Sequence, residues 1–259
     1  MVAPKKSLGQ HWLKDRQVLQ KIAAEAEITK KDTVLEIGPG LGTLTSELLR
    51  QAKQVVAVEL DEALAQKLPG QFPGTALQVI NQDILSFDLR QLPKGYIVVA
   101  NVPYYITSKI VQLLTTSVNP PKTIVLLVQK EVAERLAAAP GDMSILAVSA
   151  QIYATVRLGD VVPAALFTPP PKVDSQVVVL SMRSVPLVQP MQEKLFFQIV
   201  KAGFSAKRKK LRSSLASGLR VDKATIEQLL HSCDISPDNR AEDLSLDDWL
   251  KLMHAFFAR

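Results

Sequence analysis

The chain has 259 residues and a formal net charge of +6, with 47% hydrophobic and 22% charged residues. This is the mix of a soluble globular protein, long enough to bury a core that needs no disulfides or structural metal ions. The single cysteine, Cys233, excludes a disulfide framework and a multi-thiolate metal site, and no apolar run approaches the length of a membrane span.

The first predicted element is a helix near the amino end of the chain. Asp15 is placed to cap it, and Val18, Leu19 and Ile22 recur on one face. The preceding stretch, Lys5–Leu13, is polar and irregular, which is typical of a frayed tail or a lid. The amino end has no apolar core of a signal peptide, so we expect a cytoplasmic protein, in agreement with the cysteine count.

From residue 33 to about 183, short β-branched runs alternate with helical patterns. The predicted strands are Thr33–Ile37, Gln54–Glu59, Ala76–Ile80, Tyr96–Ala100, Thr123–Val128 and Gln176–Leu180. The predicted helices between them are Thr43–Gln51, Glu62–Lys67, Ser108–Thr116 and Lys130–Ala139. Strands that are almost continuously apolar are covered on both faces, and their alternation with helices predicts a doubly wound, Rossmann-like α/β sheet.

The pattern changes after Val185, where the sequence becomes helical. Asp222 is placed to cap one helix, and Ser245 with Asp248 resembles a capping box for the last one. We therefore expect an α/β domain over residues 1–184 and a small α-helical domain over residues 185–259.

A glycine-rich turn follows the first strand of the predicted sheet, with Gly38, Gly40 and Gly42 in a G-x-G-x-G pattern. Glycines at this position let a ligand approach the backbone closely. Glu59 ends the second strand about 20 residues past the middle glycine, where a carboxylate can accept both ribose hydroxyls. Asp83 follows the third strand at the same sheet edge. Each feature alone is more often structural, but together they predict a site for a nucleoside-containing cofactor.

The segment Asn101–Tyr105 follows the fourth strand and is either a simple turn or a site for adenine. An exocyclic adenine amine is a poor nucleophile because its lone pair is delocalised into the ring. The amide oxygen of Asn101 and a backbone carbonyl of the Val102-Pro103 turn could accept its two N–H groups and direct that lone pair at an electrophile. Tyr104 would supply a flat face on which the extruded base stacks.

These residues belong to a series of motifs that covers essentially the whole chain. The motifs are Lys6–His11 with Leu13, Glu36–Gly42, Glu59–Asp61, Asn101–Tyr104, Gln129–Ala133, Pro171–Ser175, Arg208–Arg212 and Arg240–Glu242. In identity and order they resemble the ribosomal RNA small-subunit adenine dimethyltransferase family of the KsgA/RsmA type. The resemblance implies a class I methyltransferase sheet with S-adenosyl-L-methionine as cofactor.

The resemblance also implies roles for single residues. His11 and Leu13 would fold over the cofactor. The loop at Gly38 and Gly40 would lie against the cofactor, with Gly38 at its methionine portion. Glu59 would hold the ribose, and Asp83 would bind the adenine amino group. Asn101, with Pro103, would orient the target amine, and Asn101 would also contact the cofactor. Phe167 would pack against the flipped base opposite Tyr104, with a core aromatic as the alternative.

The sequence departs from the family pattern at three places. Trp12 stands where the family usually has Phe, and Gln82 replaces a common Gly. After Pro140-Gly141 the family often carries Tyr-Gly, whereas this chain has Met143–Ile145. This last departure leaves the conformation of the segment, and any RNA contact it makes, open.

The strongest charge run is formed by Lys207, Arg208, Lys209, Lys210 and Arg212. Such a run is usually a solvated helix face, and within an RNA methyltransferase it becomes a candidate for phosphate contacts. We expect Lys207, Arg208, Lys210 and Arg212, with Lys5 and Lys6, to bind ribosomal RNA, while Leu211 and Leu215 face the core.

The expected function is N6,N6-dimethylation of adenosines in a loop near the 3′ end of small-subunit (16S) rRNA, with a role in small-subunit biogenesis. Alternatives are a related 23S rRNA adenine methyltransferase of the antibiotic-resistance type and a ribosome-assembly factor without catalysis. An NAD-dependent dehydrogenase is disfavoured by the glycine spacing and by Asn101–Tyr104. We expect a monomer that binds the small-subunit precursor, with no metal ion and no membrane.

Overall fold

The computed structural model describes residues 4–5, 8–206 and 208–257. The chain divides into two compact units. The first comprises Met1–Glu134 with Ala154–Arg183, and the second comprises Arg135–Tyr153 with Ser184–Arg259. The last boundary lies next to the predicted one at 184, but residues 135–153 group with the C-terminal helices, whereas the prediction placed them in the α/β domain.

Backbone hydrogen bonds explain why this internal segment belongs to the second unit. The N–H groups of Gly141 and Met143 both donate to the carbonyl oxygen of Glu242, at 2.9 and 3.2 Å. Ser144 then caps the following helix by accepting from the N–H of Ala147 at 3.2 Å. The departure at Met143–Ile145 is therefore a turn followed by a capped helix start.

The strands described by the structure are β1 (Trp12–Leu13), β2 (Thr33–Ile37), β3 (Gln54–Glu59), β4 (Leu77–Asn81), β5 (Ile97–Asn101), β6 (Thr123–Gln129), β7 (Ala154–Val162), β8 (Phe167–Thr168) and β9 (Ser175–Met182). Seven of them form one sheet in the order β4-β3-β2-β5-β6-β9-β7. The first five of that order are parallel, and β9 and β7 are antiparallel to their neighbours. Every residue of β2 is buried, which requires cover on both sheet faces. The predicted doubly wound α/β fold is confirmed.

In the first unit, one helix precedes the parallel strands and the others follow individual strands. They are α1 (Arg16–Ala24), α2 (Thr43–Gln51), α3 (Glu62–Gln71) and α4 (Thr107–Thr115), and α5 (Lys130–Leu136) follows β6 at the unit boundary. The predicted first helix is confirmed, since Asp15 accepts from the N–H of Val18 at 3.0 Å. Asp61 caps α3 in the same way, which fixes the chain directly after β3.

The N-terminal segment forms a short sheet of its own. β1 pairs antiparallel with β8, so that Trp12 opposes Thr168 and Leu13 opposes Phe167. Leu13 is 2% exposed and joins the hydrophobic core of the first unit. Residues 8–13, here called the strap, are therefore anchored to the first unit. Of the two alternatives for this stretch, a frayed tail and a lid, the frayed tail is excluded.

The second unit is helical in its described part. Its helices are α6 (Ile145–Gln151), α7 (Pro190–Gly203), α8 (Leu211–Leu219), α9 (Lys223–Ser232) and α10 (Leu246–Phe257). Asp222 caps α9, and Ser245 and Asp248 exchange the bonds of a capping box before α10, as predicted. Trp249 and Phe196 are fully buried in this unit.

No helix in the described ranges is long and apolar enough to cross a membrane. Within the same ranges, no three His, Cys, Asp or Glu side chains come together as a set of metal ligands.

Candidate active site

The carboxyl ends of the central parallel strands open onto a cleft of roughly 1000 Å³, counting the space that faces solvent. All but one of the predicted catalytic and cofactor residues line it. They are His11, Leu13, Gly38, Gly40, Glu59, Asp83, Asn101, Pro103 and Tyr104. Parallel topology brings them together, because each follows or covers the end of a strand at one edge of the sheet.

Phe167 is the predicted site residue that does not line the cleft. Its ring is 3% exposed and belongs to the hydrophobic core of the first unit, with Leu13 opposite it across the β1–β8 pair. Phe167 is therefore packed in the core in this structure, and its contact with a flipped base stays a prediction.

The loop after β2 takes backbone conformations that require glycine. Gly38 and Gly40 have φ angles of +65° and +58°. A Cβ on Gly38 would meet nothing within 4 Å, so the space beside it is free for a ligand. A Cβ on Gly40 would lie 3.5 Å from the indole ring of Trp12, which shows how closely the strap approaches the loop.

Glu59 is held at the end of β3 by the backbone on both sides. One carboxylate oxygen accepts from the N–H of Gly40 at 3.0 Å and the other from the N–H of Asp61 at 2.8 Å. Glu59 is 5% exposed, and burial raises its pKa against the opposing effect of these two bonds. Since each oxygen keeps a free lone pair, the fixed carboxylate can still accept from a pair of hydroxyl groups.

Glu36 is a second buried carboxyl group at this edge, to which the sequence pattern gave no role. It is 1% exposed and lines the cleft, and its Oε2 has no hydrogen-bond partner within the described residues. Burial, with the charge of Glu59 adding to it, raises the pKa of Glu36 to about 8. At neutral pH the Glu36 carboxyl group is therefore mostly protonated.

Asp83 stands two residues beyond β4 and begins a short 3₁₀ turn. One carboxylate oxygen accepts from the N–H of Leu85 at 2.9 Å, so the side chain has a fixed direction. Gln82, a departure from the family pattern, donates to the carbonyl oxygen of Ser86 at 2.9 Å and also lines the cleft. The glutamine is thus accommodated within the turn.

Asn101 ends β5, and the strap determines the direction of its amide group. Its Nδ2 donates to the backbone carbonyl of His11 at 3.2 Å. In the described part of the chain, no group bonds to its Oδ1, which leaves the acceptor atom available. The Pro103 carbonyl already accepts from the N–H of Ile106 at 3.2 Å, which closes the turn after Asn101.

Tyr104 is held from two sides. Its hydroxyl shares a hydrogen bond of 2.7 Å with the hydroxyl of Ser175, a fully buried residue at the start of β9. Burial raises the pKa of Tyr104, so the phenol stays protonated. The ring of His11 lies nearly parallel to it, with centroids 5.9 Å apart, and the Nδ1–H of His11 donates to the carbonyl of Pro169 at 2.7 Å.

Three of these contributors were not predicted from the sequence. Ser175, Glu36 and Leu60 appeared only as members of the motifs Pro171–Ser175, Glu36–Gly42 and Glu59–Asp61, without a role of their own. Leu60 follows Glu59, lines the cleft and is 48% exposed. An apolar residue directly after an acidic strand end was the available signal for Leu60, whereas the bond from Ser175 to Tyr104 joins residues too far apart in sequence to be paired by pattern.

The basic run lies in the second unit, and its described members differ in what they contact. Lys210 forms an ion pair with Asp238 at 2.9 Å, and Arg212 pairs with both Asp238 and Glu227, at 3.1 and 3.3 Å. Arg208 is exposed and has no ion pair with any described residue. Arg212 therefore does not point freely outward as predicted, although Leu211 and Leu215 are fully buried as expected.

Two further predicted phosphate contacts lie near the amino end. Lys5 is paired with Asp61 at 2.9 Å, and Gln10 donates to the same carboxylate at 3.3 Å. Asp61 thus holds both Lys5, which precedes the strap, and Gln10, which belongs to it. Lys6 and Lys207 lie outside the described residues.

A mostly parallel sheet with a glycine loop after β2 and acidic residues at the ends of β3 and β4 defines the class I methyltransferase fold. Solved structures agree with this class. A dimethyladenosine transferase from Plasmodium falciparum superposes with a TM-score of 0.83 at 29% identity, covering 96% of this chain and 98% of that one. The 23S rRNA methyltransferase ErmE gives a TM-score of 0.79 at 28% identity, with coverages of 94% and 98%.

Sequence comparisons narrow the class to one family. The family model described as ribosomal RNA adenine dimethylase matches residues 1–257. The Ribosomal RNA small subunit methyltransferase A of Acaryochloris marina is 43% identical over 266 residues, covering 97% of both chains. That of Dehalococcoides mccartyi is 42% identical over 252 residues, covering 96% of this chain and 87% of the relative. The chain belongs to the ribosomal RNA adenine dimethylase family.

Proposed function

We propose that this enzyme uses S-adenosylmethionine to dimethylate N6 of adenosines in a loop near the 3′ end of small-subunit (16S) rRNA, and so takes part in small-subunit biogenesis. The observation that carries the proposal is the fixed amide of Asn101, whose Oδ1 accepts no bond from any described residue, in the cleft that Tyr104, Gly38 and Glu59 also line.

The cofactor half of the cleft fits S-adenosylmethionine. Glu59 offers two fixed carboxylate oxygens to the ribose hydroxyls, and Asp83 offers a carboxylate oxygen to the adenine amino group. The open space beside Gly38 suits the methionine portion, and His11 and Leu13 cover it from the strap. When bound there, the cofactor supplies a methyl group activated by a sulfonium centre.

The other half of the cleft fits an adenine extruded from RNA. Asn101 Oδ1 accepts one N–H of the target amine, and this bond favours a pyramidal nitrogen whose lone pair faces the cofactor half. Tyr104 stacks against the base, and the bond to Ser175 keeps its ring from rotating away. No base is needed beforehand, since the amine loses its proton after the new bond forms, so holding geometry is the main task of these residues.

Dimethylation requires Asn101 to orient the same nitrogen for two successive methyl transfers. A monomethylated amine keeps one N–H, which Asn101 Oδ1 can still accept. The second acceptor is a backbone carbonyl of the Val102-Pro103 turn. The site beside this carbonyl must then admit a methyl group in place of the second N–H. This step distinguishes a dimethyltransferase from an enzyme that stops after one transfer.

Small-subunit RNA is favoured as substrate because relatives named for the small subunit reach 42–43% identity over nearly the whole chain. ErmE, named for 23S rRNA, is 28% identical. Glu59, Asp83 and Asn101 are all present and positioned, which opposes an assembly factor without catalysis. We expect the protein to act as a monomer in the cytoplasm, where small subunits assemble.

The test uses methyl-labelled S-adenosylmethionine with three substrates: small subunits lacking adenine methylation, large subunits and adenine-rich DNA. Nucleosides from each digest are identified by mass spectrometry, and Asn101→Ala is the control. We expect dimethyladenosine from small subunits only, lost in the variant while cofactor binding persists. Label in large subunits would indicate the resistance type, and cofactor binding without transfer to any substrate would indicate the assembly factor.

A further inference from the structure

Tyr105 is an exposed aromatic residue at the catalytic cleft that the proposed mechanism does not use. Among the large apolar side chains that the structure leaves exposed, Leu60 and Tyr105 are the two that line the cleft, and Tyr105 is 61% exposed. It directly follows Tyr104. No hydrogen bond ties its hydroxyl to any described residue.

The ring of Tyr105 is supported by the strap and is not a free surface side chain. A Cβ built on Gly9 would lie 3.4 Å from Cδ1 and 3.5 Å from Cε1 of the ring, and 3.8 Å from Cβ of Pro103. Gly9 has a φ of +62°, so the strap bends to follow the ring. A ring that is packed on one side and open on the other loses little freedom when a planar group stacks on it.

The surroundings of Tyr105 favour a nucleotide as the stacking partner. Lys109 lies four residues further on, in the first turn of α4, exposed and without an ion pair to any described residue. Ile106, the residue before α4, provides no side-chain cap to the N–H groups of that helix. An exposed aromatic ring followed four residues later by an unpaired cation suits single-stranded nucleic acid, with one group for the base and the other for the phosphate.

We propose that Tyr105 is the stacking platform for the nucleotide that adjoins the target adenosine in the RNA. The inference rests on the proposed function and deepens it. Turning one base out of a strand deprives its neighbour of a stacking partner, and an aromatic ring at the exit of the pocket restores it. Since Tyr104 stacks on the target base, the ring of Tyr105, the next residue in the chain, is placed to stack on the base that adjoins the target in the RNA.

The test compares Tyr105→Leu, which removes the aromatic face, with Tyr105→Phe, which keeps it. With small subunits as substrate, we expect kcat/KM to fall about tenfold to a hundredfold in Tyr105→Leu, the effect of losing one base–aromatic stack, and to stay within about twofold in Tyr105→Phe. Affinity for S-adenosylhomocysteine should be unchanged in both, which also shows that they fold. Phe257→Leu, at a 50% exposed aromatic that does not line the cleft, is the matched control.

A second measurement assigns the partner base. Small subunits are assembled with rRNA that carries an abasic residue on one side or the other of the target adenosine. When the missing base is the one that stacks on Tyr105, kcat/KM of the wild-type enzyme should fall by the same factor as the Tyr105→Leu substitution causes. On the same substrate, kcat/KM of Tyr105→Leu should not fall further. Additive losses on both sides, or equal losses in Tyr105→Leu and Tyr105→Phe, would overturn the inference, whereas a wild-type enzyme inactive on intact subunits would refute the proposed function itself.

Discussion

A buried carboxyl group must either meet a cation or hold its proton, and Glu36 meets no cation among the described residues. Its pKa is raised from 4.5 to about 8, first by burial and then by the charge of Glu59. The native state therefore keeps a proton that the unfolded chain releases above about pH 4.5. Because the native state binds more protons over this range, the free energy of unfolding falls as the pH rises from about 4.5 to about 8.

Glu36→Gln tests this account, because glutamine resembles the protonated acid and cannot ionise. The free energy of unfolding of the wild-type protein should decrease by up to about 1.4 kcal/mol per pH unit on account of this group. In the variant that part of the slope should vanish, so the two proteins differ little at pH 5 and diverge by pH 8. Urea unfolding at a series of pH values measures this, and parallel curves would show that Glu36 keeps its charge in the native state.

Among the helices, the close approach of α7 and α8 depends on one glycine. A Cβ on Gly218 would lie 2.6 Å from Cβ and 2.7 Å from Cα of Ala202, so the second distance involves backbone that cannot swing aside. Helix propensity alone would favour alanine by about 1 kcal/mol. Overpacking of this kind costs about 1–3 kcal/mol, so the contact outweighs the propensity.

We therefore expect Gly218→Ala to lower the free energy of unfolding by up to about 2 kcal/mol, the overpacking cost less the gain in helix propensity. Gly70→Ala is the matched control, since Gly70 lies within α3 and a Cβ there would meet nothing within 4 Å. This control should be neutral or stabilising by up to about 1 kcal/mol. Chemical denaturation measures the free energy of unfolding of both variants. A Gly218→Ala protein as stable as the control would mean that α7 and α8 move apart at no cost in stability.

The central strands were predictable because burial on both faces leaves continuous apolar runs. The bounds of β2 and β3 agree with the prediction, and β4 and β5 each begin one residue later than predicted. β7 was missed because it is an edge strand with many exposed positions and an irregular register between Leu158 and Val161. β1 and β8 were missed because two-residue strands carry no periodicity.

The cleft was largely predictable for a different reason, since parallel strands place their carboxyl ends at one edge and the motifs follow those ends. What the sequence could not show are bonds between distant segments. The direction of the Asn101 amide depends on the carbonyl of His11, and the position of the Tyr104 ring depends on Ser175. The sequence left Phe167 between a base contact and a core aromatic, because its neighbours in the core are set by the pairing of β1 with β8.

For the protein as a whole, binding to a ribosomal subunit is expected to depend on cations that are not already neutralised. Lys210 and Arg212 are engaged with Asp238. Arg208 and Lys209 are exposed and have no ion pair with any described residue. Among the described members of the basic run, we therefore expect the phosphate contacts to come chiefly from these two side chains, because only unpaired cations release counterions from RNA on binding.

The double variant Arg208→Gln, Lys209→Gln should weaken binding to small subunits and lower the slope of log K against log salt by about 1.5. Lys30→Gln, Lys31→Gln removes the same charge at exposed positions before the amino end of β2, at the sheet edge away from the cleft, and should leave the slope unchanged. Filter binding or light scattering at several salt concentrations provides the slopes. Equal changes in the two double variants would show that net charge, rather than contact at Arg208 and Lys209, governs the interaction.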